Sequence, residues 1–101
     1  MVAKESPSRA DEPGWTFFTN HGHVLVCIAR DPEVRVAEIA RLVGIGERAA
    51  HRIVHDLVEA GYVVLTKVGR RNVYQLRLDR PLRHPLEAPH LIAEVVEPLV
   101  D

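Results

Sequence analysis

The fold is decided by residues 36–76, VAEIARLVGIGERAAHRIVHDLVEAGYVVLTKVGRRNVYQL, within a chain of 101 residues. Apolar side chains recur at helical spacing in the first part of this stretch, and Gly-Ile-Gly at 44–46 interrupts them. The first of these glycines suits the left-handed conformation that ends a helix, and the isoleucine can plug a core at a tight turn. The pattern therefore predicts a short helix over 37–43 and a longer helix over 47–60, joined by that turn.

Beyond the longer helix, the composition changes to β-branched and aromatic residues, which are typical of strands. Gly61 follows the predicted helix and is suited to end it. Residues 62–68 and 73–78 predict two strands, and Gly-Arg-Arg-Asn at 69–72 predicts the turn between them. The sequence therefore predicts a two-stranded hairpin with a basic tip.

These motifs resemble the winged helix-turn-helix core of transcriptional regulators of the MarR and ArsR types. The resemblance covers about residues 20–80. It is carried by the I-A-x-x-V-G-I turn at 39–45, the L-x-x-A-G-Y-V exit from the longer helix at 57–63, and the G-R-R-N tip at 69–72. It implies an α+β, mostly helical fold: a winged helix-turn-helix with a two-stranded β-hairpin wing, to which this chain adds a C-terminal helix.

Composition divides the chain into a tail, a domain and a C-terminal extension. Residues 1–14 are rich in serine, proline and charge, so we expect a disordered tail. Residues 15–80 are the predicted winged-helix DNA-binding domain. Residues 81–101 form the C-terminal extension. It contains most of a proline-rich connector over 79–89, which is expected to be largely extended, and then a predicted dimerisation helix over 90–99.

The start of the domain carries an aromatic cluster followed by a first helix. The aromatic residues are expected to pack on the core and so fix the beginning of the domain. Asn20 is the predicted N-cap of a helix over 21–30, and 34–36 is predicted to be a short extended stretch. Three of the five aromatic residues lie within four positions, at Trp15, Phe17 and Phe18.

The resemblance implies that the longer helix enters the DNA major groove and that the hairpin tip contacts phosphates or the adjacent minor groove. Arginine is well suited to guanine edges and to phosphate, although a solvated charged face is the plain alternative for these side chains. We therefore expect a sequence-specific transcriptional regulator that binds double-stranded DNA. The candidate DNA-binding residues are Arg48, His51, Arg52 and His55 on the helix and Lys67, Arg70, Arg71 and Asn72 around the tip.

Charge is unevenly distributed along the chain. The whole chain has 13 basic and 14 acidic residues, for a formal net charge of -1. Residues 20–80 nevertheless carry three more basic than acidic residues, whereas residues 81–101 carry three more acidic than basic ones. A polyanion is therefore expected to bind the middle of the chain. The near-neutral total also leaves a rival hypothesis, a winged-helix protein–protein interaction module that does not bind DNA.

The predicted C-terminal helix has an apolar stripe that exceeds the needs of so small a domain. The stripe can pack back on the first helix or against a second copy of the chain. The resemblance implies a homodimer, in which two recognition helices meet half-sites about one DNA turn apart. The candidate dimer-interface residues are Leu91, Ile92, Val95, Val96 and Leu99.

Enzymatic and metal-binding classes find little support. No glycine-rich phosphate loop follows a strand, and no serine or threonine lies in a pattern typical of a catalytic nucleophile. His23 and Cys27 have a helical spacing that can share a metal, but two ligands make no site and there is no second cysteine. We therefore expect no enzyme activity, no metal and no cofactor. Any small-molecule effector would lie at the dimer interface, and its identity is open.

The remaining composition favours a cytoplasmic protein. A single cysteine allows no internal disulfide, so Cys27 is expected to be a small core residue. The longest apolar run, 24–29, is far shorter than the roughly 20 residues that span a bilayer. The N-terminal residues show no secretory signal.

Overall fold

The structure is a computed structural model that describes residues 14–100. The tail predicted over 1–14 therefore lies, except for Gly14, outside the described residues. Three helices and a hairpin are followed by a short fourth helix, whose end continues as a single 3-10 turn, Glu97–Leu99. The elements are α1 (Asn20–Arg30), α2 (Val36–Val43), α3 (Glu47–Glu59), β1 (Val63–Val68), β2 (Arg71–Leu76) and α4 (Ile92–Val96). None of these helices is long and apolar enough to cross a bilayer.

The core lies where α1, α2 and α3 meet beneath the hairpin. Ile28 of α1 and Ile39 of α2 are almost fully buried, as is Val63 at the start of β1. Cys27 also belongs to this core, which confirms its predicted place. Each helix buries one apolar face, because apolar residues recur every three or four positions.

The first helix begins one residue earlier than predicted. Its N-cap is Thr19, whose hydroxyl accepts a hydrogen bond from the backbone N–H of Gly22 at 3.4 Å. Asn20 is therefore the first helical residue and not the cap. Threonine and asparagine can both cap a helix, so the sequence alone does not show which of Thr19 and Asn20 is the N-cap. The backbone conformation shows it.

The turn between α2 and α3 is as predicted. Gly44 has φ 87°, in the left-handed region, and its N–H donates to the Ala40 carbonyl at 2.8 Å. Ile45 is half-buried against the core, and Gly46 is the N-cap of α3. The stretch predicted to be extended is shorter than expected, since Val36 already opens α2.

The hairpin is an antiparallel pair whose register runs from Val63 opposite Leu76 to Val68 opposite Arg71. The turn is two residues long, Gly69 and Arg70, and Gly69 has φ 64°. The predicted four-residue turn was therefore too long. Arg71 and Asn72, the last two residues of the predicted turn, belong to β2 and pair with β1. A two-residue turn that starts with glycine allows the strands to pair up to this point.

The connector and the last helix differ most from prediction. The connector was expected to be extended, but it folds back on itself: the N–H of Leu82 donates to the His90 carbonyl at 2.8 Å. The N–H of Ile92 likewise donates to the Arg80 carbonyl at 2.9 Å. Pro81 and Leu91 form an isolated antiparallel bridge. These pairings keep the first two residues of the predicted helix out of it, and Leu91 has extended backbone, so α4 begins only at position 92.

The aromatic cluster at the start of the domain is largely exposed, contrary to expectation. Trp15 is 71% and Phe17 87% exposed, and their rings contact each other edge to face with centroids 5.0 Å apart. Phe18 is 42% exposed and lies over Gly22 of α1. In place of the aromatics, Ile92 and Val96 of α4 are buried against the core.

Candidate nucleic-acid interface

Helix α3 has a buried face and a charged, exposed face. Ala50, Ile53 and Leu57 belong to the core. The four residues predicted to contact DNA from this helix are all exposed, and Arg48 and Arg52 lie one helical turn apart. None of the four forms an ion pair with another described residue. The structure therefore brings together, on one free face, the residues Arg48, His51, Arg52 and His55.

The hairpin tip presents a second group of exposed polar residues. Lys67 and Asn72 lie opposite each other in the ladder, one step from the pair formed by Val68 and Arg71. Arg70 occupies the turn itself. All four predicted wing residues are therefore exposed and within one short segment of the hairpin.

One wing arginine has a partner that the sequence pattern did not indicate. The guanidinium of Arg71 forms an ion pair with the carboxylate of Glu33, in the loop between α1 and α2. Two positions 38 residues apart share no periodicity, and only the folded chain brings them together. Arg71 is therefore not a free cation in this structure.

The turn, α3 and the start of the wing lie within a stretch that is similar to a known family. A family model described as the MarR family matches residues 19–71 of this chain. The chain belongs to the MarR family. The winged-helix fold, with its two-stranded wing and added C-terminal helix, is thereby confirmed. Among curated proteins, no sequence matches the chain significantly.

The solved structures that are similar to this chain include a MarR-family protein. It is described as the zinc-dependent MarR family transcriptional regulator AdcR in the Zn(II)-bound state, and it matches with a TM-score of 0.49 and 20% identity. The alignment covers 84% of this chain and 54% of that chain. Our chain thus spans about half the length of that regulator.

The histidines and the cysteine of this MarR-family chain are dispersed. Within residues 14–100, no group of three histidine, cysteine or acidic side chains is arranged to hold a metal. His23 Nδ1 lies 3.4 Å from Asn20 Oδ1, and burial raises the pKa of the Cys27 thiol. A buried thiol with a raised pKa is a poor metal ligand, because the thiolate is the binding form.

The C-terminal stripe that is predicted to form a dimer interface is partly buried and partly exposed in this MarR-family chain. Ile92 and Val96 are only 4% and 3% exposed, because they pack into the core of their own chain. These two residues are therefore covered by their own chain, and their contact with a second copy stays a prediction. Leu91 and Leu99 are exposed and Val95 is half-buried, so these three remain accessible.

A groove of about 610 Å³ runs beside this accessible stripe. It lies between α1, the end of α3, the connector and α4, and Val95 and Leu99 line it. Apolar side chains such as Leu25 and Val26 form much of its wall. Two of the three accessible stripe residues, Val95 and Leu99, are therefore part of the wall of the groove.

A second polar contact between distant residues ties α1 to α3. The Nε2 atom of His21 donates to Oδ2 of Asp56 at 2.9 Å, and both side chains are about half exposed. This hydrogen bond lowers the pKa of Asp56 below its usual value of 3.8. As with Glu33, the sequence pattern did not indicate the contact.

Replacing Asp56 with asparagine is expected to lower the melting temperature slightly at pH 5. A lowered pKa means that the folded state favours the carboxylate, so the contribution is complete above about pH 3.8 and disappears as the pH falls through the lowered pKa. Thermal melts of the wild type and Asp56→Asn between pH 2.5 and 5 check this. Glu59→Gln, an exposed carboxylate on the same helix, is the control. A difference that stays constant over this range contradicts the ion pair's role.

Proposed function

We propose that this chain is a sequence-specific DNA-binding transcriptional regulator that acts as a cytoplasmic homodimer. The observation that carries the proposal is the free, basic face of α3 directly after the glycine-bounded turn, in a MarR-family fold. In this role α3 enters the major groove, and the wing contacts the flanking backbone or minor groove. DNA contact belongs to residues 15–80, and dimer contact to residues 81–101.

The two arginines of α3 are the proposed base-contacting residues. Arg48 lies in the first turn of the helix, and Arg52 lies one turn further on, on the same face. An arginine fork donates two hydrogen bonds to guanine O6 and N7, or binds phosphate. His51 and His55 flank the two arginines and approach the DNA as cations when protonated.

The wing residues are proposed to contact the backbone. Lys67 and Arg70 are exposed and unpaired with any other described residue, and Asn72 offers an amide beside them. Contacts with phosphate fix the protein on the duplex without reading its sequence. The wing is therefore expected to add affinity for any duplex, whereas α3 adds specificity.

The homodimer is proposed to use the accessible part of the C-terminal stripe. Leu91, Val95 and Leu99 and the adjoining groove supply an apolar surface, and the acidic charge of this segment keeps it away from DNA. A symmetric dimer places two copies of α3 at half-sites about one DNA turn apart. A small-molecule effector, if the regulator responds to one, would bind at this interface.

Replacing Arg52 with alanine tests the proposal. The expected loss is roughly 1–3 kcal/mol per contact, or about 5- to 150-fold in affinity, with relaxed specificity at one base position. Fluorescence anisotropy on a duplex from upstream of the protein's own gene, with single-base variants of it, measures both. Arg77→Ala, an exposed arginine after β2 that belongs neither to the assigned DNA contacts nor to the groove, is the matched control. If Arg52→Ala and Arg77→Ala bind alike, the interface assigned to α3 is wrong.

A further inference from the structure

The loop between α1 and α2 is a fixed turn that lies against the wing. The backbone N–H of Glu33 donates to Oδ1 of Asp31 at 3.0 Å, and the N–H of Val34 donates to the Asp31 carbonyl at 2.9 Å. The N–H of Tyr74, in β2, donates to the Pro32 carbonyl at 2.8 Å. Val34 is buried in the core. The position of the Glu33 side chain relative to β2 is therefore set by the fold.

The carboxylate of Glu33 meets the first residue of β2, Arg71. Their ion pair is open to solvent, since the two side chains are 48% and 59% exposed. Exposed pairs of this kind add little to folding stability. The main consequence of the contact is electrostatic, because it cancels one positive charge at the tip of the wing.

The ion pair makes Arg71 different from its neighbours at the tip. Lys67 and Arg70 form no ion pair with another residue in the part of the chain that the structure describes. A DNA phosphate and a carboxylate bind a guanidinium through the same charge-assisted hydrogen bonds. A phosphate that approaches Arg71 must therefore displace Glu33.

We propose that Glu33 is an internal competitor for DNA phosphate at Arg71. The inference rests on the proposed DNA-binding function and adds a residue that limits it. In the wild type the wing offers two free cations, and the third is withheld by a carboxylate that the α1–α2 turn holds in place. Because phosphate contacts carry no sequence information, this restraint acts equally on every duplex. Glu33 thereby lowers non-specific retention on DNA.

Removing the carboxylate is expected to release Arg71. Glu33→Gln should bind a scrambled duplex about three- to tenfold more tightly at 0.1 M salt, with a steeper salt dependence, because one additional phosphate contact forms per protomer. Arg71→Gln alone should weaken binding by less than Arg70→Gln does, because the wild-type guanidinium is already occupied and only the repulsion of the carboxylate left behind is added. In the double variant the gain should vanish, which is the signature of coupled residues.

The experiment compares six proteins by anisotropy and by elution from heparin, a sulfated polyanion: the wild type, Glu33→Gln, Arg71→Gln, their double variant, Arg70→Gln and Glu87→Gln. Glu87→Gln is the matched control, because it makes the same change in net charge at an exposed carboxylate of the connector. The expected result is that Glu33→Gln elutes at higher salt than Glu87→Gln, and that adding Arg71→Gln reverses the difference. Far-ultraviolet circular dichroism confirms that each variant is folded.

Two outcomes separate this inference from the proposed function. Equal elution of Glu33→Gln and Glu87→Gln, or a loss in Arg71→Gln as large as that in Arg70→Gln, overturns the competitor role whatever the DNA results are. In the other outcome the wild type binds no duplex at low salt, while Glu33→Gln still elutes from heparin at higher salt than Glu87→Gln. This result overturns the proposed function, but it leaves in place the competition between Glu33 and anions for Arg71.

Discussion

Raising the salt concentration from 50 to 200 mM is expected to weaken DNA binding by roughly 10³- to 10⁵-fold. Binding to phosphates releases counterions from the duplex, and each contact therefore adds to the salt dependence. On the proposed DNA-contacting surface of one protomer, four cations form no ion pair with another described residue: Arg48, Arg52, Lys67 and Arg70. A dimer brings eight, within the range of 6–10 contacts for which losses of about this size are known.

The same titration distinguishes a dimer from a monomer. A single protomer with four phosphate contacts should lose only about 10²-fold over this range. The measurement is anisotropy against a labelled duplex at five salt concentrations, with the slope of log affinity against log salt as the result. A loss of less than about tenfold would show that the basic face of α3 and the wing do not contact phosphates together.

Replacing Ile28 with alanine is expected to lower the free energy of unfolding by roughly 2–5 kcal/mol. Ile28 is only 1% exposed and lies in α1, which contacts α2, α3, β2 and α4. The truncation removes buried methyl groups and leaves a cavity where several elements meet, so the neighbours cannot close it without moving together.

The size of this effect is large for a small domain, whose total stability is about 5–15 kcal/mol. Urea unfolding followed by circular dichroism measures it. Ile28→Val, with an expected loss of roughly 0.5–1.5 kcal/mol, keeps the test informative if the alanine variant does not fold. Leu86→Ala is the control, because Leu86 is 90% exposed and its loss should change stability by less than about 0.5 kcal/mol. Equal losses of unfolding free energy for Ile28→Ala and Leu86→Ala would contradict the placement of Ile28 in the core.

Features that depend on neighbouring residues could be predicted from the sequence. The turn at Gly44 follows from its own conformational freedom, and the two faces of α3 follow from the spacing of apolar residues. The hairpin follows from strand-forming residues on either side of Gly69. Each of these signals is contained within a short stretch of neighbouring residues.

Features that depend on distant partners could not be predicted. The ion pair between Glu33 and Arg71 needs the register of the hairpin against the α1–α2 loop, which no local pattern encodes. The connector doubles back through backbone hydrogen bonds, and these shorten the helix that periodicity predicted. Ile92 occupies the core for the same reason. Apolar periodicity shows which face is buried and leaves open what covers it.

Selection of bound duplexes from a random-sequence pool tests the central claim most directly. The full chain is incubated with the pool at 0.1 M salt, and the bound fraction is sequenced after several rounds. The proposed homodimer is expected to enrich two inverted half-sites with centres about 10 base pairs apart, or a multiple of that spacing, since a symmetric dimer presents two α3 helices. Bound DNA without an enriched motif would contradict sequence-specific recognition, and no bound DNA at low salt would favour the protein–protein interaction module.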